Sequence, residues 1–277
     1  MRSPHTIDLG KMRAWLLDDG TEQAAPSEFV GAISEDELGI VLGIKTRPLP
    51  KVEIGFSPVL LDTGHELLLI DTGNGEDSAP GMGNVQKHLK VLGIAPGDIR
   101  RVVSTHAHGD HFMGNTLPGG AVAFPNATFV MQRAEWDWAV GTERLAGMSE
   151  VRRKAVHDNL SALSTQVRFI DGEVSLAPGV RTLLTPGHSP AHQCVIVQSG
   201  ETALIIAGDA VHHPMHIAKP EWTYAHDANP AQTPVSRRKL FEVAVTLNAL
   251  VAPYHFGFPG VGRITRSGAG YGWRAAR

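Results

Sequence analysis

Short apolar runs, each bounded by turn residues, recur along the chain and predict buried β-strands. Two such runs, at 59–62 and 67–70, flank the turn Thr63-Gly64-His65-Glu66 and predict a β-hairpin. The other predicted strands lie at 101–105, 128–131, 167–170, 180–184, 194–197, 204–207 and 249–253. The four runs between 167 and 207 alternate with Gly, Pro and Asp turns, which is typical of an antiparallel meander.

Segments with helical periodicity separate these strands. Residues 85–92 predict a helix capped by Asn84, with Gly93 directly after its last turn. A polar helical region is predicted over about 133–163, and a further helix over 230–250. The order of strands, helices, strands, helix and strand predicts an α/β protein whose sheets are covered by helices.

Composition restricts the class of protein. The 277 residues carry a formal charge of −3, with 42% hydrophobic and 19% charged residues, which excludes a disordered chain. Without repeats or a long linker, we expect one domain over 1–277, with its core motifs within about 55–260. No basic run favours nucleic acid, and no apolar run is long enough to predict a membrane span. The N-terminal MRSPHTIDLGKM lacks a signal-peptide pattern, so we expect a cytoplasmic location.

Histidine is abundant, with 14 copies beside a single cysteine. Imidazole is the commonest metal-binding side chain in proteins, so the placement of these residues is informative. The segment Thr105-His106-Ala107-His108-Gly109-Asp110-His111 puts four potential ligands directly after a predicted strand. Because side-chain direction repeats every two residues in an extended chain, His106 and His108 are predicted to face one point. Asp110 and His111 then face a second metal position.

Three further candidates, His188, Asp209 and His255, each follow an apolar run and lie among Gly or Pro residues. Together with the first segment they give five histidines and two aspartates. A catalytic zinc takes about three protein ligands, so this set fits two ions that share a carboxylate. Two such ions can hold a bridging hydroxide, which is a nucleophile at neutral pH. Imidazole and carboxylate suit Zn, Fe, Co or Mn, and we expect zinc.

These motifs resemble the signature of the metallo-β-lactamase-fold hydrolases. Besides the segment 105–111, the resemblance rests on Leu69-Ile70-Asp71-Thr72-Gly73, on Thr185-Pro186-Gly187-His188-Ser189-Pro190-Ala191-His192 and on Ala207-Gly208-Asp209, in the family's order. It implies an αββα sandwich with the metals at one edge.

The resemblance also implies a role for each site residue. His106, His108 and His188 would hold one metal, Asp110, His111 and His255 the other, and Asp209 would bridge the two. Asp71 would accept a hydrogen bond from a ligand histidine and so orient it, and His192 would be a structural member of its motif.

The segment from Tyr254 to Gly262 resembles the methyl parathion hydrolase-like branch, alongside the acyl-homoserine lactonases. Many acyl-homoserine lactonases have tyrosine three residues after the bridging aspartate, where this chain has His212. The group that protonates the leaving alkoxide is therefore either Asp110 or His212. Candidate aromatic walls of an apolar pocket are Trp222, Tyr224, Phe256 and Phe258.

The resemblance implies a homodimeric hydrolase that uses two metals to open lactones or related esters of small-molecule size. Organophosphate triester hydrolysis is an alternative main activity, because the same nucleophile attacks phosphorus. A mono-iron, oxygen-using enzyme of the sulfur dioxygenase kind is a second alternative, and a binding protein that keeps only the fold is a third.

Overall fold

Strands form two central layers of the molecule, and helices cover them on both sides. The computed structural model describes residues 1–30 and 33–276. The strands in these residues are β1 (His5–Leu9), β2 (Met12–Leu16), β3 (Thr21–Ala24), β4 (Val52–Gly55), β5 (Val59–Asp62), β6 (Leu67–Ile70), β7 (Ile99–Val103), β8 (Thr128–Gln132), β9 (Val167–Ile170), β10 (Ser175–Ala177), β11 (Val180–Leu184), β12 (Gln193–Ser199), β13 (Thr202–Gly208), β14 (Leu250–Pro253), β15 (Gly262–Ser267) and β16 (Gly270–Ala275). The α-helices are α1 (Glu35–Leu42), α2 (Val85–Leu92), α3 (Gly109–Phe112), α4 (Arg133–Ala139), α5 (Thr142–Ala146), α6 (Glu150–Ala162), α7 (Met215–Ala218) and α8 (Thr233–Thr246).

The strands assemble into two seven-stranded sheets and one small ribbon. The first sheet has the order β1-β2-β5-β6-β7-β8-β9, and its strands from β6 to β9 are parallel. The second has the order β10-β11-β12-β13-β14-β15-β16 and is antiparallel except where β13 pairs with β14. The ribbon consists of β3 and β4. Within the described residues, no helix combines the length and apolarity needed to cross a membrane.

The core has three layers because the strands alternate their side chains between two faces. In β6, Leu68 and Ile70 pack between the two sheets, whereas Leu69 faces α2. In β13, Leu204 packs between the sheets and Ile205 faces α8. Burying each such side chain contributes roughly 1.5–3 kcal/mol. A sheet that is apolar on both faces is therefore stabilised by the other sheet on one face and by helices on the opposite face. The predicted αββα sandwich is confirmed.

The predicted hairpin is confirmed, with Val59 opposite Ile70 and Asp62 opposite Leu67. Helix α2 has the predicted bounds, and Gly93 follows it in the left-handed region at φ 71°.

Asn84 occupies the N-cap position of α2, as predicted, but its side chain makes no capping hydrogen bond and instead donates to the Gly81 carbonyl. The buried carboxylate of Asp19 accepts from the backbone N–H groups of Asn84 (2.6 Å) and Val85 (3.2 Å). A residue distant in sequence therefore satisfies this helix end.

The predicted meander is partly wrong. The run 167–170 forms β9, which pairs in parallel with β8 at the edge of the first sheet, so the antiparallel meander begins at β10. The helical region over 133–163 is divided into α4, α5 and α6.

Candidate metal centre

The seven predicted ligands converge at one edge of the sandwich, where loops from both sheets meet. The loop after β7 and the short helix α3 carry four of them, and the second sheet contributes three from separate loops. They are His106, His108, Asp110 and His111 from the first sheet, and His188 after β11, Asp209 after β13 and His255 after β14 from the second. A strand end holds the backbone of each residue in place, so the side chains meet at a defined point.

The donor atoms form overlapping groups. One donor atom from each of His106, His108, His188 and Asp209 lies within 4.8 Å of the others. The same limit holds for Asp110, His111 and His255, and for Asp209, His212 and His255.

Asp209 lies between the first two groups. Its Oδ1 is 3.2 Å from Nε2 of His111, and its Oδ2 is 3.2 Å from Nε2 of both His188 and His255. One carboxylate thus faces histidines of both groups, which is the placement expected of a residue shared between two ions.

Several of these buried donor atoms have no hydrogen-bond partner among the described residues. They are Nε2 of His111, Oδ1 of Asp209 and both ring nitrogens of His212. A buried polar atom without a partner is costly, and native proteins rarely leave one in that state. Since imidazole nitrogen and carboxylate oxygen are ligands of divalent metals, the unpartnered atoms of His111 and Asp209 and the seven-residue donor set fit two such ions.

Asp71 holds the ligand loop of the first sheet. Its carboxylate accepts from the backbone N–H of Thr105 (2.7 Å), from the Thr105 hydroxyl (2.8 Å) and from Nδ1 of His111 (2.8 Å). It has a left-handed backbone at φ 59°, which aspartate tolerates better than most residues. With its Nδ1 on Asp71, His111 directs Nε2 at the cluster, as the family resemblance implies for this position.

Two further orienting partners were not predicted from the sequence. Asp227 lies 3.0 Å from Nδ1 of His188 and also accepts from the backbone N–H of Tyr224. The carbonyl of Gly55 lies 3.0 Å from Nδ1 of His255. Asp227 is 39 residues from its histidine and lies in an irregular loop, so neither spacing nor periodicity indicates it.

His192 positions the backbone of Asp209. Its Nε2 accepts from the Asp209 N–H at 2.9 Å, and its Nδ1 lies 2.8 Å from the Thr185 hydroxyl. Burial and the neighbouring His188 lower the pKa of His192 to about 3, so its ring is neutral and can accept. Gly208 is required here, because its φ is 49° and a Cβ would lie 2.6 Å from Nε2 of His192.

Glu135 on α4 joins the two ligand loops of the first group, and it too was not predicted. Its buried carboxylate accepts from the backbone N–H of Ala107, between His106 and His108, at 3.1 Å. It also accepts from the Ser189 hydroxyl (2.7 Å) and the Ala191 N–H (2.6 Å), just after His188. Burial raises the pKa of this carboxyl, and the three donors act against that rise.

His212 lies against the cluster and faces the cavity above it. Its ring is parallel to that of His255, with centroids 5.4 Å apart and an interplanar angle of 6°, and it stacks on Tyr224. Its Nε2 is 3.2 Å from Oδ2 of Asp209. Burial lowers the pKa of His212 to about 4, so the imidazole is neutral at pH 7.

The histidines of the cluster differ in the direction of their pKa shifts. Burial and neighbouring imidazoles lower the pKa of His106 and His108 well below the usual value, which leaves neutral nitrogens available as ligands. Burial also opposes the charge of His111, but the carboxylates of Asp209 and Asp110 outweigh it and raise its pKa. The opposite balance at Asp209, where charged histidines outweigh burial, holds the pKa of that carboxyl well below its ordinary range.

A cavity of about 660 Å³ opens above the cluster. Tyr224 lines it, as predicted, and most of its apolar wall comes from residues that the sequence did not indicate. These are Phe29, Ile54, Phe56 and Val156.

The structure places the other three predicted pocket aromatics outside the lining of this cavity. Trp222 is buried in a core cluster with Phe29. Phe256 packs edge-on against Trp273, with centroids 5.2 Å apart, on the outer face of the second sheet. Phe258 packs against the core between the sheets. These aromatics were predicted to line the pocket because they lie close to the ligand motifs in the sequence. The directions of their side chains, however, depend on tertiary packing.

The αββα sandwich carries a cluster of His and Asp side chains at one sheet edge, and these side chains are suited to binding divalent metals. The family model of the Metallo-beta-lactamase superfamily matches residues 57–255, and the chain belongs to this superfamily.

Sequence relatives share part of their length with this chain. It is 33% identical over 118 residues to an N-acyl homoserine lactonase of Bacillus cereus, which covers 43% of this chain and 40% of that protein. It is 27% identical over 166 residues to an N-acyl homoserine lactonase of Bacillus thuringiensis, covering 53% of this chain and 60% of the relative. The matches thus span 40 to 60% of the length of these relatives.

A solved structure matches over nearly the whole chain. It is AidC, described as a dizinc quorum-quenching lactonase, with a TM-score of 0.88 and 23% identity over 99% of this chain and 98% of the other. At this identity the likeness shows a common fold.

Proposed function

We propose that this protein is a two-metal hydrolase that opens the lactone ring of N-acyl homoserine lactones or closely related esters. The observation that carries the proposal is Asp209, which lies between two His/Asp donor groups at the floor of a 660 Å³ cavity. The two relatives named as N-acyl homoserine lactonases support the same substrate class.

In this proposal the ligands are those that the sequence resemblance implies. His106, His108 and His188 would hold one ion, Asp110, His111 and His255 would hold the other, and Asp209 would be shared between them. When bound, two divalent ions supply a water acidic enough to act as a nucleophile near neutral pH and a Lewis acid for the substrate carbonyl. The nitrogen and oxygen donors suit zinc, and the fold neighbour AidC is described as a dizinc protein.

The residues behind the ligands fix the geometry of the reaction. Asp71, Asp227 and the Gly55 carbonyl each engage Nδ1 of one histidine, so that its Nε2 faces the cluster. Such partners set the tautomer and the ring direction of a ligand histidine. They therefore hold the donor atoms in place before substrate arrives.

His212 serves as the proton donor to the leaving alkoxide. It lines the cavity, and its Nε2 lies beside Asp209 with no hydrogen-bond partner among the described residues. The other candidate from the sequence is Asp110. Its Oδ2 lies 3.4 Å from Nε2 of His111 and 3.5 Å from Nε2 of His255, as expected of a metal ligand. As the lactone C–O bond breaks, the alkoxide takes the Nε2 proton of the neutral His212 ring. The hydroxyl proton of the newly formed carboxylic acid then passes to His212, which is neutral again, and the acyl group is released as a carboxylate.

The cavity provides room for an acyl chain. Small-molecule sites commonly enclose about 300–1,000 Å³, and this cavity lies within that range. Phe29, Ile54 and Phe56 line it from the N-terminal part of the chain, while Met148 and Val156 line it from the α5–α6 region. An apolar chain placed between them is removed from water, which favours binding.

A substrate panel tests the proposal. Protein purified without chelator is assayed with N-hexanoyl homoserine lactone, γ-butyrolactone, methyl parathion, a β-lactam and a thioester. We expect the highest kcat/KM with the acyl-homoserine lactone, with activity lost after chelation and restored by Zn²⁺. A higher kcat/KM with methyl parathion would identify an organophosphate triesterase instead. One iron per chain together with oxygen consumption would identify the mono-iron alternative.

Self-association as a homodimer and a cytoplasmic location stay predictions from the sequence. Sedimentation of the purified chain and fractionation of its host cells measure these two properties.

A further inference from the structure

One wall of the cavity carries positive charge that lactone opening does not require. Helices α5 and α6 and the residues between them supply Arg144 and Arg152 beside Met148, Ala155 and Val156, and we call this surface the α5–α6 wall. Within the described part of the chain, no carboxylate oxygen lies within the 4.0 Å ion-pair distance of either guanidinium. Two cations without counter-ions therefore face the space where substrate must bind.

Arg144 is held in place on one side. Its guanidinium carbon lies 3.7 Å from the centroid of the Trp138 ring, and Trp138 in turn packs edge-on against the candidate ligand His108 at 5.4 Å. A single indole ring thus separates the guanidinium from the cluster. A guanidinium stacked on an aromatic face keeps its in-plane N–H groups free for an acceptor.

The donor atoms of Arg144 need an acceptor. Its Nη1 is buried and has no hydrogen-bond partner among the described residues. Burial lowers the pKa of Arg144 to about 10, so the group stays charged at neutral pH. A buried charged donor without an acceptor is costly, and a ligand that supplies the acceptor recovers that cost.

The nearby carboxylates do not supply the acceptor. Both oxygens of Glu135 already accept hydrogen bonds, from Ala107, Ser189 and Ala191. Glu22 lines the cavity from β3, a different element, and its side chain is exposed.

We propose that the α5–α6 wall is an anion subsite and that the preferred substrate carries a carboxylate, or a similar oxyanion, away from the scissile lactone bond. The inference rests on the proposed function and narrows its substrate class. Arg144 donates two parallel hydrogen bonds to the oxyanion, as a planar guanidinium does to carboxylate. Arg152, exposed at the mouth, adds long-range attraction.

A matched pair of lactones measures the preference. N-succinyl-homoserine lactone ends in a carboxylate, and N-succinamoyl-homoserine lactone ends in a neutral amide of the same size. We expect the wild-type protein to favour the carboxylate in kcat/KM by about tenfold or more, since hydrogen bonds to charged groups are the stronger ones. Arg144→Gln should abolish this ratio, and Arg144→Lys, which keeps the charge but loses the fork, should retain part of it.

Arg168→Gln is the matched control, because Arg168 is exposed on β9 and does not line the cavity. It should keep the wild-type ratio. An unchanged ratio in Arg144→Gln, with its melting temperature close to that of the wild type, would overturn the subsite. A wild-type preference for the amide would overturn it as well.

Binding of the ring-opened products separates this inference from the proposed function. N-succinyl-homoserine and N-succinamoyl-homoserine are titrated calorimetrically into metal-loaded protein, with no turnover required. Tighter binding of the first, lost in Arg144→Gln, supports the subsite even when no lactone is opened, and that combination contradicts only the lactonase proposal. Equal binding in wild type and variant rejects the subsite even when lactones are opened rapidly.

Discussion

The floor of the cavity and its α5–α6 wall differ in how their polar side chains are held. At the floor, His111, His188 and His255 each have Nδ1 on a partner, so only Nε2 faces inward. At the wall, Arg144 rests on one aromatic ring, lines the cavity, and has a buried Nη1 without a hydrogen-bond partner among the described residues. A histidine whose Nδ1 is hydrogen-bonded presents its Nε2 in one fixed direction, whereas a guanidinium donor without a hydrogen-bond partner is available to a ligand. We infer that the floor determines the chemistry and the wall selects the substrate.

The largest effect is expected from Asp209→Asn. The amide cannot serve as an anionic ligand to two ions, so turnover of the acyl-homoserine lactone should fall below detection and the metal content should drop. Steady-state hydrolysis and elemental analysis measure both. Asp158→Asn is the control, because Asp158 is exposed on α6 and its ion-pair partners among the described residues are Lys154 and His157 on the same helix. Near-native turnover by Asp209→Asn would contradict the proposal that the Asp209 carboxylate is shared between two ions.

The next effect concerns His212 as proton donor. General acid catalysis contributes typically about 10²–10⁴-fold, so His212→Asn should lower kcat on the lactone by at least about 10²-fold. A thiolactone releases a thiolate that needs less protonation, so its kcat should fall much less. His5→Ala, near the N-terminus, should be nearly silent. Equal losses of kcat on the lactone and the thiolactone would show that His212 contributes to the shape of the cavity floor and does not donate the proton.

A smaller effect is expected where a partner behind a ligand is changed. Asp227→Asn keeps the size of the side chain but weakens the hydrogen bond from His188. Loss of such partners typically costs about 10–100-fold in metal affinity or activity. Titration of metal-free protein with Zn²⁺ measures the affinity directly, with Asp158→Asn again as control. An unchanged affinity would show that the floor does not depend on residues behind it.

The smallest effect is expected on stability rather than on turnover. Glu135→Gln places an amide where three donors converge, so one of them loses its acceptor. Hydrogen bonds to charged groups contribute about 1.5–3 kcal/mol each, and the free energy of unfolding should fall by a similar amount. Denaturant unfolding measures it, with Asp137→Asn on the exposed face of the same helix as control. An unchanged free energy of unfolding would mean that the hydrogen bonds to Glu135 do not stabilise the ligand loops.

The floor could be predicted from the sequence largely because its first half is contiguous. His106, His108, Asp110 and His111 lie within six residues, and a strand end gives them a common direction. His188, Asp209 and His255 are isolated, and they were connected to the first four by their positions after apolar runs and by the family motifs. The strands buried on both faces, such as β5 and β6, and the amphipathic helix α2 were found from apolar runs and periodicity.

The rest could not be predicted, because it depends on contacts between distant segments. Asp227 and Glu135 lie 39 and 54 residues from the partners they hold, His188 and Ser189, and nothing in their own surroundings marks them. Trp222, Phe256 and Phe258 lie near the right motifs but face other parts of the core. In the sequence, Arg144 resembles any other charged residue of a polar helical region. Only the structure shows that its guanidinium packs against the Trp138 ring.

The metal content of the intact chain, measured beside its lactonase activity, tests the two-metal floor most directly. Protein purified without chelator should contain two divalent ions per chain, lose both ions and its activity on dialysis against chelator, and recover them when Zn²⁺ is added. A chain that holds no metal and gains no activity with Zn²⁺, Mn²⁺ or Co²⁺ would contradict the proposed hydrolase.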